Sequence, residues 1–156
     1  MPKSVERFER ATRTAGFALE VHRFPQGTRT AADAARAVGC EIGQIVKSLV
    51  FMADGEPFLA LTSGPNRADP VRLAGLLGAG TVRAATPEQA RAATGFAIGG
   101  TPPFGHPGKL RVLVDRDLMG HDELWAAAGA PDAVFPIRPD DLVRLAAGRV
   151  EDFRQE

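Results

Sequence analysis

Two separated stretches carry the reactive potential of this chain: TGFAIGGTPPFGH over residues 94–106, and a single lysine far upstream, Lys47 in QIVKSLVF. The first contains four glycines and two prolines, and its one side chain that titrates near neutrality is His106. Chemistry in such a run has to come from backbone groups. Gly99 and Gly100 can take positive φ and let a ligand approach the main chain, while Pro102 and Pro103 stiffen the segment that they lead into. Bare amide N–H groups on a rigid loop can cradle a carbonyl oxygen, an oxyanion or a phosphate. Gly-Gly and Pro-Pro runs also form plain turns between strands, so the pattern alone leaves both readings open.

Lys47 lies in the most apolar strand candidate, residues 45–53. Counting by two, it shares a face with Ile45, Leu49 and Phe51. A lysine among apolar neighbours is costly unless a carbonyl or an anion meets it. The alternative is a strand lysine that snorkels to water or guards an edge.

Other chemistries lack their residues. The serines have no GxSxG setting, GxxxxGK[ST] is absent, and no GxGxxG follows a strand. One cysteine, Cys40, and three scattered histidines, His22, His106 and His121, provide no metal-ligand spacing. Neither a metal nor another cofactor is expected. Nineteen basic and nineteen acidic residues cancel, which argues against affinity for nucleic acid through bulk charge. The N-terminal stretch has no apolar core of a signal peptide and no run is long enough to span a bilayer, so a cytoplasmic protein is the expectation.

Period and punctuation along the chain predict the scaffold around these residues. Helical spacing of Val5, Phe8, Ala11 and Ala15 predicts a helix over 4–15, ended by Gly16. A short strand up to Phe24 comes next. Thr30 and Asp33 open an alanine-rich helix closed by Gly39. ADGEP makes the Lys47 strand the first arm of a hairpin whose second arm is FLALT. SGPNRADP is a polar turn, with Asp69-Pro70 as an N-cap and N1 pair. TVRAA reads as a strand, Thr86 to Gln89 as a capping box, LRVLVD as a strand, HDELWAAAG as a short helix, DAVFPI as a strand, and Pro139 opens a last helix. Asp115 and Asp117 read as a solvated turn beside Arg111 and Arg116. The fold class expected is α/β of the mixed α+β kind, a mixed sheet with helices packed on it, in a single domain over residues 1–156.

Thr30 with AADAA, IVKSLVF, the SGPNRAD turn and TGFAIGGTPPFGH, in this order and spacing, resemble the YbaK/ProX family of free-standing aminoacyl-tRNA editing domains. These are similar to the domain inserted in bacterial prolyl-tRNA synthetases, and the wording is nearest the ProX-like branch. The resemblance implies a strongly curved mixed sheet approaching a barrel, with flanking helices. It implies hydrolysis, in trans, of the ester joining a wrong amino acid to a tRNA. The family's functional lysine falls on Lys47, and its GxxxP loop on Gly99, Gly100, Thr101, Pro102 and Pro103. Phe24, Thr30, Val46, Ser63 and Asn66 are candidate pocket walls, and His106 is a candidate for substrate positioning or proton transfer. Arg23, Arg29, Arg67 and Lys109 are candidate phosphate contacts. The implied partner is a mischarged tRNA, tRNA(Pro) first, with prolyl-tRNA synthetase or an elongation factor as a further candidate. A non-catalytic editing-like module that regulates a synthetase, and a hydrolase of small aminoacyl esters, are the competing readings.

Overall fold

Three helices begin where a short polar side chain can take over the donors that a first turn leaves unpaired. Thr30 Oγ1 accepts from Asp33 N at 3.0 Å, Asp69 Oδ1 from Val71 N at 2.9 Å, and Thr86 forms a reciprocal capping box with Gln89. In the computed structural model, which describes residues 3–24 and 30–156, the chain runs α1 (Lys3–Thr14), β1 (His22–Arg23), α2 (Ala31–Val38), β2 (Ile45–Ala53), β3 (Glu56–Ser63), α3 (Pro70–Leu77), β4 (Val82–Ala84), α4 (Pro87–Thr94), β5 (Arg111–Asp115), β6 (Leu124–Ala127), β7 (Ala133–Ile137), α5 (Pro139–Ala146) and β8 (Arg149–Glu151). Single 3₁₀ turns lie at Ile42–Gln44 and Arg116–Gly120. None of the described helices is long and apolar enough to cross a membrane.

The strands form one mixed sheet in the order β1-β7-β6-β2-β3-β5-β8, with β4 added to β2 off that path. The β2–β3 hairpin is its centre, paired from Val46↔Ser63 to Ala53↔Glu56. Its two-residue turn needs positive φ twice. Asp54 and Gly55 supply 50° and 83°, and the Asp54 carboxylate accepts from Gly80 N and Thr81 N. Along β3 the side chains alternate between two cores: Leu59 and Leu61 join one that includes Val5, Phe8, Phe135 and Leu142, and Phe58 and Ala60 join the other, with Leu73 and Phe153. Burial on both faces is why FLALT reads as a continuous apolar run and not as an alternation. Helix α2 covers the start of β2, packing Ala34 and Ala35 on Ile45.

Three expectations change. HDELWAAAG is not a helix: Leu124–Ala127 is a strand that pairs with β7 antiparallel and with β2 in parallel. Leu124 and Ala126 are buried while Trp125 and Ala127 are half-buried, so pairing on both edges outweighs the helical preference of alanine. The strand ending at Phe24 shrinks to His22–Arg23, held by β7. RVE after the last helix forms β8, parallel to β5, which residues this few and this polar did not signal.

Candidate active site

A cleft of about 540 Å³ opens where β2 emerges between α2, β6 and the turn at Ile98–Gly99. Its lining is mainly small and apolar, with Thr30, Lys47, Ser48 and Thr101 as the polar side chains and no carboxylate or histidine among the described lining residues.

Lys47 stands at the cleft because the period of β2 puts it on the Ile45 face, just past the cover of α2. Its Nζ donates to the main-chain oxygen of Asn66 at 2.6 Å. An ammonium carries three N–H donors, so two remain without a protein partner among the described residues. Burial lowers the Lys47 pKa; Arg67 nearby lowers it further and Asp115 opposes them.

The carbonyl that receives Lys47 is fixed from behind. Asn66 Nδ2 donates to Asp115 Oδ2 at 2.9 Å and to Asp117 Oδ2 at 2.8 Å. Asp115 is 1% exposed and also accepts from Ser63 N and Asp117 N, both at 3.0 Å. The expected solvated turn is therefore a buried carboxylate that organises the SGPN turn. The chain reaches it because β5 runs parallel to β3 and delivers Asp115 to the point where β3 ends. Asp117 has its pKa lowered chiefly by the Asn66 amide, with Arg154 assisting. Ser63 is taken up in the same frame: its Oγ donates to Gly43 O at 2.7 Å.

The glycine-proline loop is built on α1. Arg7 donates to Gly95 O at 2.7 Å and lies over the Phe96 ring, and Phe8 packs on Phe104. Gly99 has φ 90°. Gly100 is pressed against the Ala130 backbone, where a Cβ would come within 2.8 Å of the Ala130 Cα. The Gly100 N–H is spent inside the loop, donating to Ala97 O at 3.1 Å, and Thr101 Oγ1 donates to the same oxygen at 3.2 Å. Gly99 and Thr101 both line the cleft, and no protein acceptor for their amides occurs among the described residues. Pro102 and Pro103 are buried, and His106 Nε2 bonds the Pro102 carbonyl at 2.8 Å. Burial lowers the His106 pKa against the opposing effect of that bond.

Of the residues singled out in the sequence, Lys47, Val46, Thr30, Gly99 and Thr101 meet on the cleft lining. The Thr30 hydroxyl is occupied by its cap. Gly100, Ser63, Asn66, Pro102, Pro103 and His106 are not on the lining; Pro103 is buried and the other five make the framework contacts given above. Phe24 is not on the lining; its N–H donates to Asp132 O. Arg23 pairs with Asp132 at 2.7 Å, Arg67 and Lys109 are exposed, and Arg29 lies outside the described residues. Sequence reasoning missed Ser48, Trp125, Ala126 and Asp115. The β6 residues were hidden by the helix expectation. Asp115 had a signal, an acid closing an apolar strand.

The aminoacyl-tRNA editing domain model matches residues 25–145. The proline–tRNA ligase of Nitratidesulfovibrio vulgaris (strain DP4) is 40% identical over 136 residues, which is 87% of this chain and 23% of that protein. The chain thus spans about a quarter of the length of the curated relatives it resembles first. A crystal structure described as a candidate trans-editing enzyme for prolyl tRNA synthetase superposes with TM-score 0.94 at 46% identity, over 100% of this chain and 99% of that one. A second, described as hypothetical protein APE2540, gives TM-score 0.87 at 25% identity over 96% of this chain and 99% of that one.

Proposed function

As the chain belongs to the aminoacyl-tRNA editing domain family, we propose that it is a trans-acting deacylase. It hydrolyses the ester between a small noncognate amino acid (alanine, serine, threonine, cysteine or 2-aminobutyrate) and the terminal adenosine of tRNA(Pro). The observation that carries this reading is the meeting of Lys47 with Gly99 and Thr101 on one largely apolar cleft.

Water adds to the ester carbonyl carbon, negative charge gathers on the carbonyl oxygen, and the bond to the ribose oxygen then breaks. The ribose oxygen leaves with the proton that the water gives up, yielding free amino acid and uncharged tRNA. Gly99 N–H and Thr101 N–H are the donors for the developing oxyanion. Losing one such donor typically costs about 10²–10³ in rate. Lys47, partly desolvated and anchored on Asn66, holds the carbonyl or the terminal phosphate of the substrate where a charge counts for more than in water. With no histidine or carboxylate on the described lining, the neighbouring ribose hydroxyl of the substrate relays the proton.

Selectivity belongs to the walls. Val46, Ala126 and Val134 narrow the space for the acyl side chain, and one methylene in such a space is worth about 1–3 kcal/mol. The test is deacylation of tRNA(Pro) and tRNA(Ala) charged with each of these amino acids or with proline, by wild type and K47A. Loss of a noncognate ester that spares prolyl-tRNA(Pro) and disappears in K47A is the expected result. Survival of every ester with the wild type present overturns the reading.

A further inference from the structure

Strand β2 changes neighbours along its length, and the change leaves part of its edge bare. Pairing with β6 ends at Val46↔Ala126, and pairing with β4 begins at Phe51↔Ala84. Beyond β4 the ladder is continued by Asp54 N to Thr81 O and by Ala85 N to Val50 O. Val50 therefore turns its carbonyl toward the β4 side. With a period of two, Ser48 turns its own N–H and C=O the same way, into a gap that no described strand fills.

The cleft lies along that gap. It is lined by Ile45, Val46, Lys47, Ser48 and Leu49 in succession. A cavity over one face of a strand touches alternate residues; contact with five consecutive ones places it at the edge. A separate observation falls on the same residue: Ser48 Oγ is the one buried side-chain polar atom without a hydrogen-bond partner among the described residues. Groups like these are kept in native structures for a reason, because leaving them unpaired costs stability.

We propose that Ser48 is the docking residue for the aminoacyl head of the substrate, which joins the open edge of β2 as a single ladder residue. An aminoacyl ester carries N–H, Cα and C=O in the order of a strand residue, and two residues in a hydrogen-bonded pair exchange both bonds. The amino group donates to the Ser48 carbonyl oxygen, and the ester carbonyl accepts from the Ser48 N–H beside the loop donors. With no carboxylate on the described lining, the amino group has to be met by neutral oxygens, and Ser48 offers two, its carbonyl and its hydroxyl. Such docking reads the main-chain atoms common to all amino acids and leaves the side chain to the walls. This inference rests on the editing reading given above.

The test takes the ester that wild type hydrolyses fastest in the noncognate panel and its counterpart lacking the amino group, propionyl for alanyl. Wild type and Ser48→Ala are assayed on both, each rate divided by the spontaneous hydrolysis of the same ester, and both proteins are melted thermally. Wild type should favour the amino ester by at least about 10²-fold, as sites built around a substrate N–H do. Ser48→Ala should melt no lower than wild type yet lose about 10-fold in kcat/KM on the amino ester, with a narrowed preference. Equal enhancement of the two esters by wild type overturns the docking, as does a Ser48→Ala protein with wild-type rates and preference. If wild type hydrolyses no ester of the panel, the editing reading falls and the docking falls with it.

Discussion

Lys47 and Asn66, 19 residues apart in the chain, are joined by an ammonium-to-carbonyl hydrogen bond of 2.6 Å. The lysine thus enters the cleft already oriented, and its hydrogen-bond partner is a neutral oxygen. Behind the carbonyl, two carboxylates hold the Asn66 amide. A charge kept partly out of water, aimed and without a direct ion pair among the described residues, is suited to a substrate that develops negative charge.

Lys47→Met should lower deacylation by at least about 10²-fold while leaving the melting temperature unchanged or higher, because a half-buried ammonium is replaced by an apolar chain of similar length. Circular dichroism melts beside single-turnover deacylation check it. Parallel loss of fold and activity would mean that Lys47 serves the framework.

Asp115→Asn should cost roughly 2–4 kcal/mol of stability. Three donors converge on this carboxylate, and an amide turns one acceptor into a fourth donor. Because Asn66 loses one of its two carboxylate anchors, kcat/KM should also fall at temperatures where the variant is fully folded. Urea titration gives the first quantity and deacylation well below the melting point the second.

Gly100→Ala should destabilise by about 1–3 kcal/mol through overpacking, since the added methyl meets the Ala130 backbone and not a movable side chain. Gly99→Ala has room for its methyl but is forced to hold φ near 90°, a strain of about 1–2 kcal/mol. Both should reduce kcat more than KM, because the two substitutions disturb the turn that carries the proposed oxyanion donors. A change confined to KM would assign the loop to binding alone.

The stability of the fold should fall with acidification through His106. Burial holds its pKa below the ordinary value of 6.5, so the unfolded chain takes up the proton first. The contribution is fully present above pH 6.5 and is lost as pH drops toward the folded-state pKa. Melting temperatures measured from about pH 7.5 to about pH 5 should fall less steeply for His106→Gln than for wild type. Identical slopes would remove His106 from the linkage.

Much of the frame was legible because its signals are local. The caps at Thr30, Asp69 and Thr86, the Asp54-Gly55 turn and the span of β2 are set by neighbours within a few residues. Lys47 and the glycine loop stood out by residue type. WAAA was misread because alanine favours helix where nothing else decides, and here the partners β2 and β7 decide. Asp115 was misread because its meaning depends on Ser63 and Asn66, about fifty residues earlier.

Local sequence was enough to say where α2, α3 and α4 begin and how the central hairpin turns, since each of these is settled by backbone preference and side-chain reach within one or two turns of chain. It took the folded chain to make β2 exchange β6 for β4 and expose Ser48 between them, to spend the Gly100 amide inside the loop while Gly99 and Thr101 face the cleft, and to set a buried Asp115 behind the carbonyl that aims Lys47. Sheet neighbours and buried polar networks are chosen by contacts between distant segments, and no local period encodes them.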